Sequence, residues 1–358
     1  MDRQKKTTNL VKISKHDKNN SDFNKIIINS IIIFTISLLC LFFNLLNPLL
    51  VNWLKDDFGV VSSKDSLIVH FINVGQGDAI AINLPDDKIV LIDAGPINET
   101  TEYIDYIKQR VTNNRRNNLI DYLILTHADS DHIGGAVKLT KIYDFGTIFM
   151  PSIDSETETY KTLKALVNAE NCNVTTYLEE FVIENEYILK IFAPLSFSDT
   201  NNSCPLIKLE YKNKSFLFTG DIEKAAEQKY IETYGDELDV DVLKIAHHGS
   251  KYSSSEEFLE QTTPEYSVIS SGNKYGHPNQ EVLDRLNSIY THIVRTDTKG
   301  NIMFAVGKNY DLDLLTGAYV VTALMFDYRY VVLVIDILLL VDMTVCLLKK
   351  NKNKKYLN

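Results

Sequence analysis

The chain has 358 residues, enough for one large domain or two small ones. Its formal net charge of −10 is unevenly spread: residues 1–25 carry seven Lys or Arg, residues 329–355 carry six, and residues 55–316 hold 24 Lys and Arg against 41 Asp and Glu, a net −17. A domain that acidic repels polyanions, which argues against tight non-specific nucleic-acid binding; a nuclease whose metal ions supply the local positive charge stays open.

Residues 1–25 read as a basic cytoplasmic tail. Residues 26–54 are almost wholly apolar and form a predicted transmembrane anchor and linker, with the span near 26–47, because Asn44, Asn47 and Pro48 weaken the second half. The stretch is too long for an ordinary signal-peptide core and no small-residue cleavage site follows it. Lys5, Lys6, Lys12, Lys15, Lys18 and Lys25 precede it, so the positive-inside rule puts the following domain outside the cell. The expected location is the cell membrane, with the lipid bilayer as a partner and the domain of residues 55–316 extracytoplasmic.

Within that domain, short strands are predicted at 67–73, 78–83 and 88–92, separated by turns at Gly75-Gln76-Gly77 and Pro85-Asp86-Asp87. A helix is expected over 100–113, a strand over 119–125, a helix over 132–141, a strand over 145–150 and a helix over 156–169. Residues 174–192 are β-rich, and strands follow at 205–211 and 215–219. The pattern then alternates: helix 222–234, strand 241–246, helix 254–262, strand 266–270, helix 279–289, and strands 292–296 and 301–306. Two runs of strands interleaved with helices suit two sheets packed face to face with helices outside. Residues 317–358 hold an apolar segment, Tyr330–Leu348, and a basic end. Asp336 and Asp342 are costly near the centre of a span, so a second transmembrane helix and a packed hydrophobic helix both stay open. Cys172 and Cys204 form a candidate disulfide in an exported domain, a free thiol at Cys204 stays open, and no cysteine spacing suggests a zinc knuckle.

Chemistry concentrates where strands end. After the apolar Leu123-Ile124-Leu125 come His127, Asp129, Asp131 and His132, four potential metal ligands within six positions, then Gly134-Gly135. Imidazole and carboxylate are the usual mixed donors for zinc, manganese or iron. Two more apolar strands end alike, in Thr219-Gly220-Asp221 and in His247-His248-Gly249-Ser250. Taken alone, Asp221 reads as a helix N-cap and the His pair as a hydrogen-bonded surface feature. Three strands that all end in His or Asp read as one site, since strand ends on one edge of a layered α/β fold converge.

His127-x-Asp129-x-Asp131-His132 resembles the His-x-His-x-Asp-His signature of the metallo-β-lactamase fold, with Asp129 where most members have His. That variant, together with Val74-Gly75-Gln76-Gly77-Asp78-Ala79, Leu91-Ile92-Asp93-Ala94-Gly95, Thr219-Gly220-Asp221, His247-His248-Gly249-Ser250, Asn273-Lys274-Tyr275-Gly276-His277-Pro278 and Arg295-Thr296-Asp297, is similar to the hydrolase domain of ComEC-type competence (DNA-uptake) proteins. The resemblance covers roughly residues 67–307. It implies an α/β fold, the αββα metallo-β-lactamase sandwich, here carrying an N-terminal transmembrane helix.

The resemblance further implies two divalent metal ions, Mn²⁺ or Zn²⁺. His127 and Asp129 would hold one; Asp131, His132 and His247 the other; Asp221 would bridge. Asp131, His248 and His277 are the catalytic candidates. Where many members place a further His, this chain has Asn201-Asn202-Ser203-Cys204, so the first site is oxygen-rich and short of a strong ligand, a tilt from zinc towards manganese. Asp93 and Asp78 read either as groups that orient the ligands or as turn residues. His277 faces substrate or caps a helix, and Arg295 meets a phosphate or a neighbouring carboxylate. The expected function is a membrane-anchored extracytoplasmic metal-dependent hydrolase, a phosphodiesterase or nuclease acting on DNA. The alternatives are a hydrolase of cell-wall or lipid phosphodiesters, and a non-catalytic membrane sensor or assembly subunit that keeps the fold. The chain has no room for the multi-span channel to which such domains are joined.

Overall fold

A computed structural model describes residues 66–316, apart from 113–117, 171, 178, 194, 196, 273 and 308–310. The predicted anchor at 26–54 and the apolar segment within 317–358 lie outside the described residues. Among the described residues no helix is long and apolar enough to cross a membrane.

The chain opens with three strands, β1 (Leu67–Phe71), β2 (Ile80–Asn83) and β3 (Ile89–Ile92), then α1 (Thr100–Tyr106) and β4 (Leu119–Ile124). Two single-turn helices follow, α2 (Ser130–Ile133) and α3 (Ala136–Leu139), then β5 (Asp144–Met150), α4 (Glu158–Ala169) and β6 (Asn173–Thr176). Next come β7 (Phe181–Glu184), β8 (Tyr187–Ile191), β9 (Ile207–Tyr211), β10 (Lys214–Phe218), α5 (Lys224–Tyr234) and β11 (Val242–Lys244). The last run is α6 (Glu256–Thr262), β12 (Tyr266–Ile269), α7 (Gln280–Ser288), β13 (His292–Arg295), α8 (Thr296–Lys299), β14 (Ile302–Val306) and β15 (Leu312–Thr316). One sheet has the order β15-β14-β1-β2-β3-β4-β5-β6, the other β13-β12-β11-β10-β9-β8-β7.

The two sheets share a core. Leu67, Val69 and Phe71 of β1 point into it, with Ile80, Ile82, Val90 and Ile92 beside them and Leu189, Ile207, Leu209, Phe216 and Phe218 opposite. The period of two sends the alternate residues of the first sheet outwards, where Ile89 and Leu91 meet Tyr103 and Ile107, and Leu123 and Ile148 meet Leu163. On the second sheet Leu217, Leu243 and Ile269 pack outwards against Tyr230, Phe258 and Val282. β3 is therefore buried on both faces, which is why Ile89-Val90-Leu91-Ile92 is a continuous apolar run rather than an alternating one. The layers run helix, sheet, sheet, helix, as expected.

Several details depart from expectation. The helix expected over 132–141 is split at Gly134-Gly135, because this stretch lies on the 93–97 loop: Gly135 N–H donates to the Gly95 carbonyl, and a Cβ on Gly135 would collide with the Ala94 carbonyl. The helix expected to run to 113 passes at Ile107–Val111 into a wider turn in which Thr112 N–H reaches back to Ile107. A strand not anticipated, β15, adds Leu312 and Leu314 to the shared core. The candidate disulfide is absent: Cys172 and Cys204 are both free thiols. The reason is the layering, since Cys172 packs on the helical side of the first sheet and Cys204 on that of the second.

β1 carries one polar residue on its outer face, His70, which is buried between Tyr106 and Asn83. Its Nδ1 lies 2.8 Å from the Tyr106 hydroxyl and its Nε2 3.0 Å from Asn83 Oδ1. Burial drives its pKa down to about 4, outweighing the hydrogen bond to Asn83. Because the folded value lies below the unfolded one, the unfolded chain binds the extra proton first. Stability from this group is complete above about pH 6.5 and is lost as pH falls towards 4. We expect His70 to remove about 2 kcal/mol of stability between pH 7.5 and pH 5. Urea unfolding of wild type and His70→Gln at both pH values checks this; equal pH slopes in the two proteins reject it.

Candidate metal centre

Parallel pairing sets the site. β3 runs parallel to β4, and β10 to β11, so their carboxyl ends lie together. β4 leads to Thr126-His127, β10 to Thr219-Gly220-Asp221, and β11 to His247-His248. Backbone bonds tie the loops: Asp78 N–H donates to the Asp131 carbonyl, Ala94 N–H to that of His132, and His247 N–H to that of Gly220. Gly77, at φ +136°, is needed where the chain passes the Asp131 carbonyl, since a Cβ there would overlap it.

Asp221 is the hub. Its Oδ2 lies 3.3 Å from His132 Nε2, 3.4 Å from His248 Nε2, 3.9 Å from His247 Nε2 and 4.0 Å from His127 Nε2. Donor atoms of Asp78, His132, Asp221 and His248 all fall within 4.8 Å of one another, and all four residues are buried. Among the described residues, the Nε2 atoms of His127, His132 and His248, and Oδ1 of Asp78 and Asp221, have no hydrogen-bond partner. Leaving several buried polar atoms unsatisfied is expensive. A divalent cation satisfies imidazole and carboxylate lone pairs together, so this donor set fits the implied metals.

The imidazoles are aimed from behind. His132 Nδ1 lies 2.7 Å from Asp93 Oδ2, and Asp93 also accepts from the Thr126 amide at 2.8 Å and the Thr126 hydroxyl at 2.7 Å. Held there, His132 presents Nε2 to the cluster, the usual outer support of a metal-binding histidine. His248 Nδ1 donates to the Ser270 carbonyl at 2.9 Å, which frees its Nε2 for the same centre. His247 and His248 both sit at positive φ, +50° and +55°. Two adjacent side-chain-bearing residues in the left-handed region is strained backbone, a common feature of functional sites.

Charge is balanced inside the cluster. Burial would raise the Asp221 pKa, but the His248 and His132 imidazoles hold it well below the usual carboxylate range. Burial would lower that of His132, yet Asp221 and Asp93 raise it well above the usual histidine value. His127 is driven well below its ordinary value by burial and by the charge of His132. A fully buried lysine, Lys244, completes the balance: its Nζ is ion-paired with Asp78 Oδ2, lies 3.9 Å from Asp221 Oδ1 and donates to the Gly220 carbonyl at 3.2 Å.

The structure places the candidate residues in three groups. His127, His132, Asp221 and His248 are buried around one point, with Asp78 beside them. Asp131 and Asp129 stand at the mouth: Asp131 is one-third exposed with Oδ2 3.6 Å from His248 Nε2, and Asp129 is half-exposed with Oδ2 3.7 Å from His127 Nε2. His247 and His277 form an outer pair. His247 is a quarter exposed, its Nδ1 is 3.5 Å from Glu223 Oε1, and its ring centre is 5.7 Å from that of His277. Of the two adjacent histidines, which the sequence by itself does not separate as ligands, His248 takes the inner place and His247 the outer one.

The 201–204 segment supports the loops, and the buried Asn201 Oδ1 has no hydrogen-bond partner among the described residues. Asn202 Oδ1 accepts from the Glu223 amide at 3.0 Å, the Ser203 hydroxyl donates to the Asp199 carbonyl at 2.7 Å, and Cys204 Sγ accepts from the Asp221 amide at 3.5 Å. Burial keeps the Cys204 thiol protonated by pushing its pKa up. Arg295 is held by Asp297 through Nε at 3.0 Å and Nη2 at 2.6 Å. The group that sequence reasoning missed is Lys244; its one signal is a lysine inside the apolar run Val242-Leu243-Lys244-Ile245.

The chain is similar in sequence to known proteins. The chain is 34% identical over 255 residues to ComE operon protein 3 of Bacillus subtilis, an alignment covering 66% of this chain and 32% of that protein. It is 30% identical over 281 residues to Recombination protein 2 of Haemophilus influenzae, covering 72% of this chain and 33% of that protein. It is 32% identical over 191 residues to Competence protein ComA of Neisseria gonorrhoeae, covering 53% of this chain and 26% of that protein. The chain thus spans a third or less of the length of these relatives. Residues 72–272, which include every loop of the centre up to Ser270, match the family model of the metallo-beta-lactamase superfamily, and the chain belongs to that superfamily.

Proposed function

We propose that the chain is a membrane-anchored, metal-dependent phosphodiesterase whose substrate is DNA, with the catalytic domain outside the cell. The observation that carries this reading is the set of buried, unpartnered nitrogen and oxygen atoms gathered around Asp221. His127, His132, Asp221 and His248 would hold divalent cations there, which would supply positive charge to the oxygens of a phosphodiester and acidify a water. The chain's own groups suit the remaining tasks. Asp131, at the mouth and beside His248 Nε2, would orient a water. His277, half-buried with an unpartnered Nδ1, is placed to hydrogen-bond a substrate oxygen. The names of the relatives, which refer to competence and recombination, favour DNA. The domain's net −17 favours a second reading, a cell-wall or lipid phosphodiester near the membrane.

The test uses the whole chain with bis-p-nitrophenyl phosphate, DNA and wall polymers. Metal-depleted protein is expected to be nearly inactive and to recover more with Mn²⁺ than with Zn²⁺, because Asp129 and the 201–204 segment leave the first site oxygen-rich. Asp129→His should shift the preference towards zinc. Protein that purifies with two tightly held zinc ions and gains nothing from manganese refutes the metal argument. A protein that binds metal but hydrolyses none of the three substrates is a scaffold. Topology is tested separately: protease added to intact cells should digest the domain, and digestion only after lysis would reverse the orientation.

A further inference from the structure

The dipeptide Lys-Tyr occurs twice beside the metal centre, as Lys251-Tyr252 and as Lys274-Tyr275. Large aromatic side chains are seldom left in water, yet Tyr252 is 63% exposed and Tyr275 is 71% exposed. In each pair the lysine lies over its neighbour's ring, with Nζ 5.3 Å from the Tyr252 centroid and 4.8 Å from that of Tyr275. Among the described residues neither ammonium has a carboxylate partner, in a domain where acids outnumber bases.

The two turns form one built unit. Asn279 joins them: its N–H donates to the Gly249 carbonyl at 2.9 Å, its Oδ1 accepts from the Lys251 amide at 2.8 Å, and its Nδ2 donates to the Gly276 carbonyl at 3.1 Å. Arg285 fixes the Tyr252 turn from below, through the Ser253 and Ser254 carbonyls. The unit connects to the centre by rings. The Tyr275 centroid is 6.4 Å from that of His277, His277 is 5.7 Å from His247, and His247 Nε2 is 3.9 Å from Asp221. On the other side Lys251 and Tyr252 line an open hollow of about 340 Å³ with Arg285, Glu256 and the ion pair Lys224–Glu257, large enough for a nucleotide-sized group.

We propose that Tyr252 and Tyr275 are stacking platforms for unpaired nucleobases, with Lys251 and Lys274 meeting the adjoining phosphates, so that the site takes a single strand in preference to a duplex. Exposed aromatics interleaved with lysines are how single strands are held without sequence preference, because every base has a flat face. A duplex keeps its bases inside and offers the tyrosines nothing to stack on. The two lysines supply positive charge where an acidic domain otherwise repels the backbone. This proposal rests on the nucleic-acid reading above and narrows it.

The test is fluorescence anisotropy of a labelled dT12 strand on the whole chain at low salt, with Ca²⁺ in place of Mn²⁺. Wild type is expected to bind the strand more tightly than a duplex of equal length. Tyr252→Ala/Tyr275→Ala should weaken binding about tenfold or more, on the scale of stacking measured by alanine substitution. Tyr252→Phe/Tyr275→Phe should stay within about twofold of wild type, and an abasic strand should bind wild type as weakly as dT12 binds the Ala variant. No binding, equal binding of strand and duplex, or an Ala variant that binds like wild type each overturns the proposal. Bis-p-nitrophenyl phosphate, too small to reach the tyrosines, separates the two readings. Its hydrolysis by wild type with any of those outcomes leaves the phosphodiesterase standing, whereas its loss with tyrosine-dependent binding removes the phosphodiesterase alone.

Discussion

Asp221→Asn is expected to lose bound metal and to lower phosphodiester hydrolysis by about 10³-fold or more, the scale of removing a preorganised electrostatic group from an active site. Asn keeps the size of the side chain and one acceptor but removes the charge. No other group in the cluster can replace it, because its Oδ2 is the atom within 4.0 Å of all four imidazoles. The fold should persist, since Asp221 side-chain contacts lie within the cluster while its amide is held by Cys204. Metal analysis of the purified variant, together with bis-p-nitrophenyl phosphate hydrolysis, checks both effects. The same assay ranks the paired histidines: His248→Ala, removing the inner ring, should cost more metal and activity than His247→Ala, whose ring is a quarter exposed. Wild-type metal content in Asp221→Asn would overturn the description of the centre.

Lys244→Met is expected to destabilise the domain by about 3–5 kcal/mol, the scale for removing one partner of a buried ion pair. The lysine and Asp78 are both sealed from water, so losing the ammonium strands a carboxylate in the interior. It also removes the donor to the Gly220 carbonyl, one residue before Asp221. For a domain of this size the loss corresponds to roughly 10 °C in melting temperature. Adding Asp78→Asn removes the stranded charge, so the double variant should recover part of the loss. Added Mn²⁺ should stabilise Lys244→Met more than wild type, because a cation can take the ammonium's place beside Asp78. Thermal melts of wild type, both single variants and the double variant give the coupling between the two sites. Additive losses would show that the ion pair does not hold this region.

Much of the fold was legible because its signals are local. Ile89-Val90-Leu91-Ile92 is apolar throughout, which marks a strand buried on both faces. The site loops follow strands with apolar stretches, Leu123-Ile124 in β4, Phe216-Leu217-Phe218 in β10 and Val242-Leu243 in β11, and His127, His132 and Asp221 are chemically conspicuous where they stand. The splitting of the helix at Gly134-Gly135 was not legible, because it is imposed by the Ala94 carbonyl and the Gly95 bond, about 40 residues away in sequence. β15 was missed because its weak alternation of Leu312 and Leu314 with Asp313 gains meaning only against β14.

The sequence by itself determined the layered α/β class, the strand ends that bear chemistry and the donor types available, since periodicity and residue chemistry are properties of neighbours along the chain. Only the tertiary structure decided which donors meet. His247 and His248 are adjacent and identical in kind; positive φ at both and the Ser270 carbonyl behind His248 turn the second one inwards. Asp93, read from sequence as either an orienting group or a turn residue, is the group that aims His132. Lys244 and Asp78 are 166 positions apart, and no local pattern links them. Their pairing arises because parallel β11 and the Gly75–Asp78 turn end beside the same cluster, where a buried charge must find its opposite.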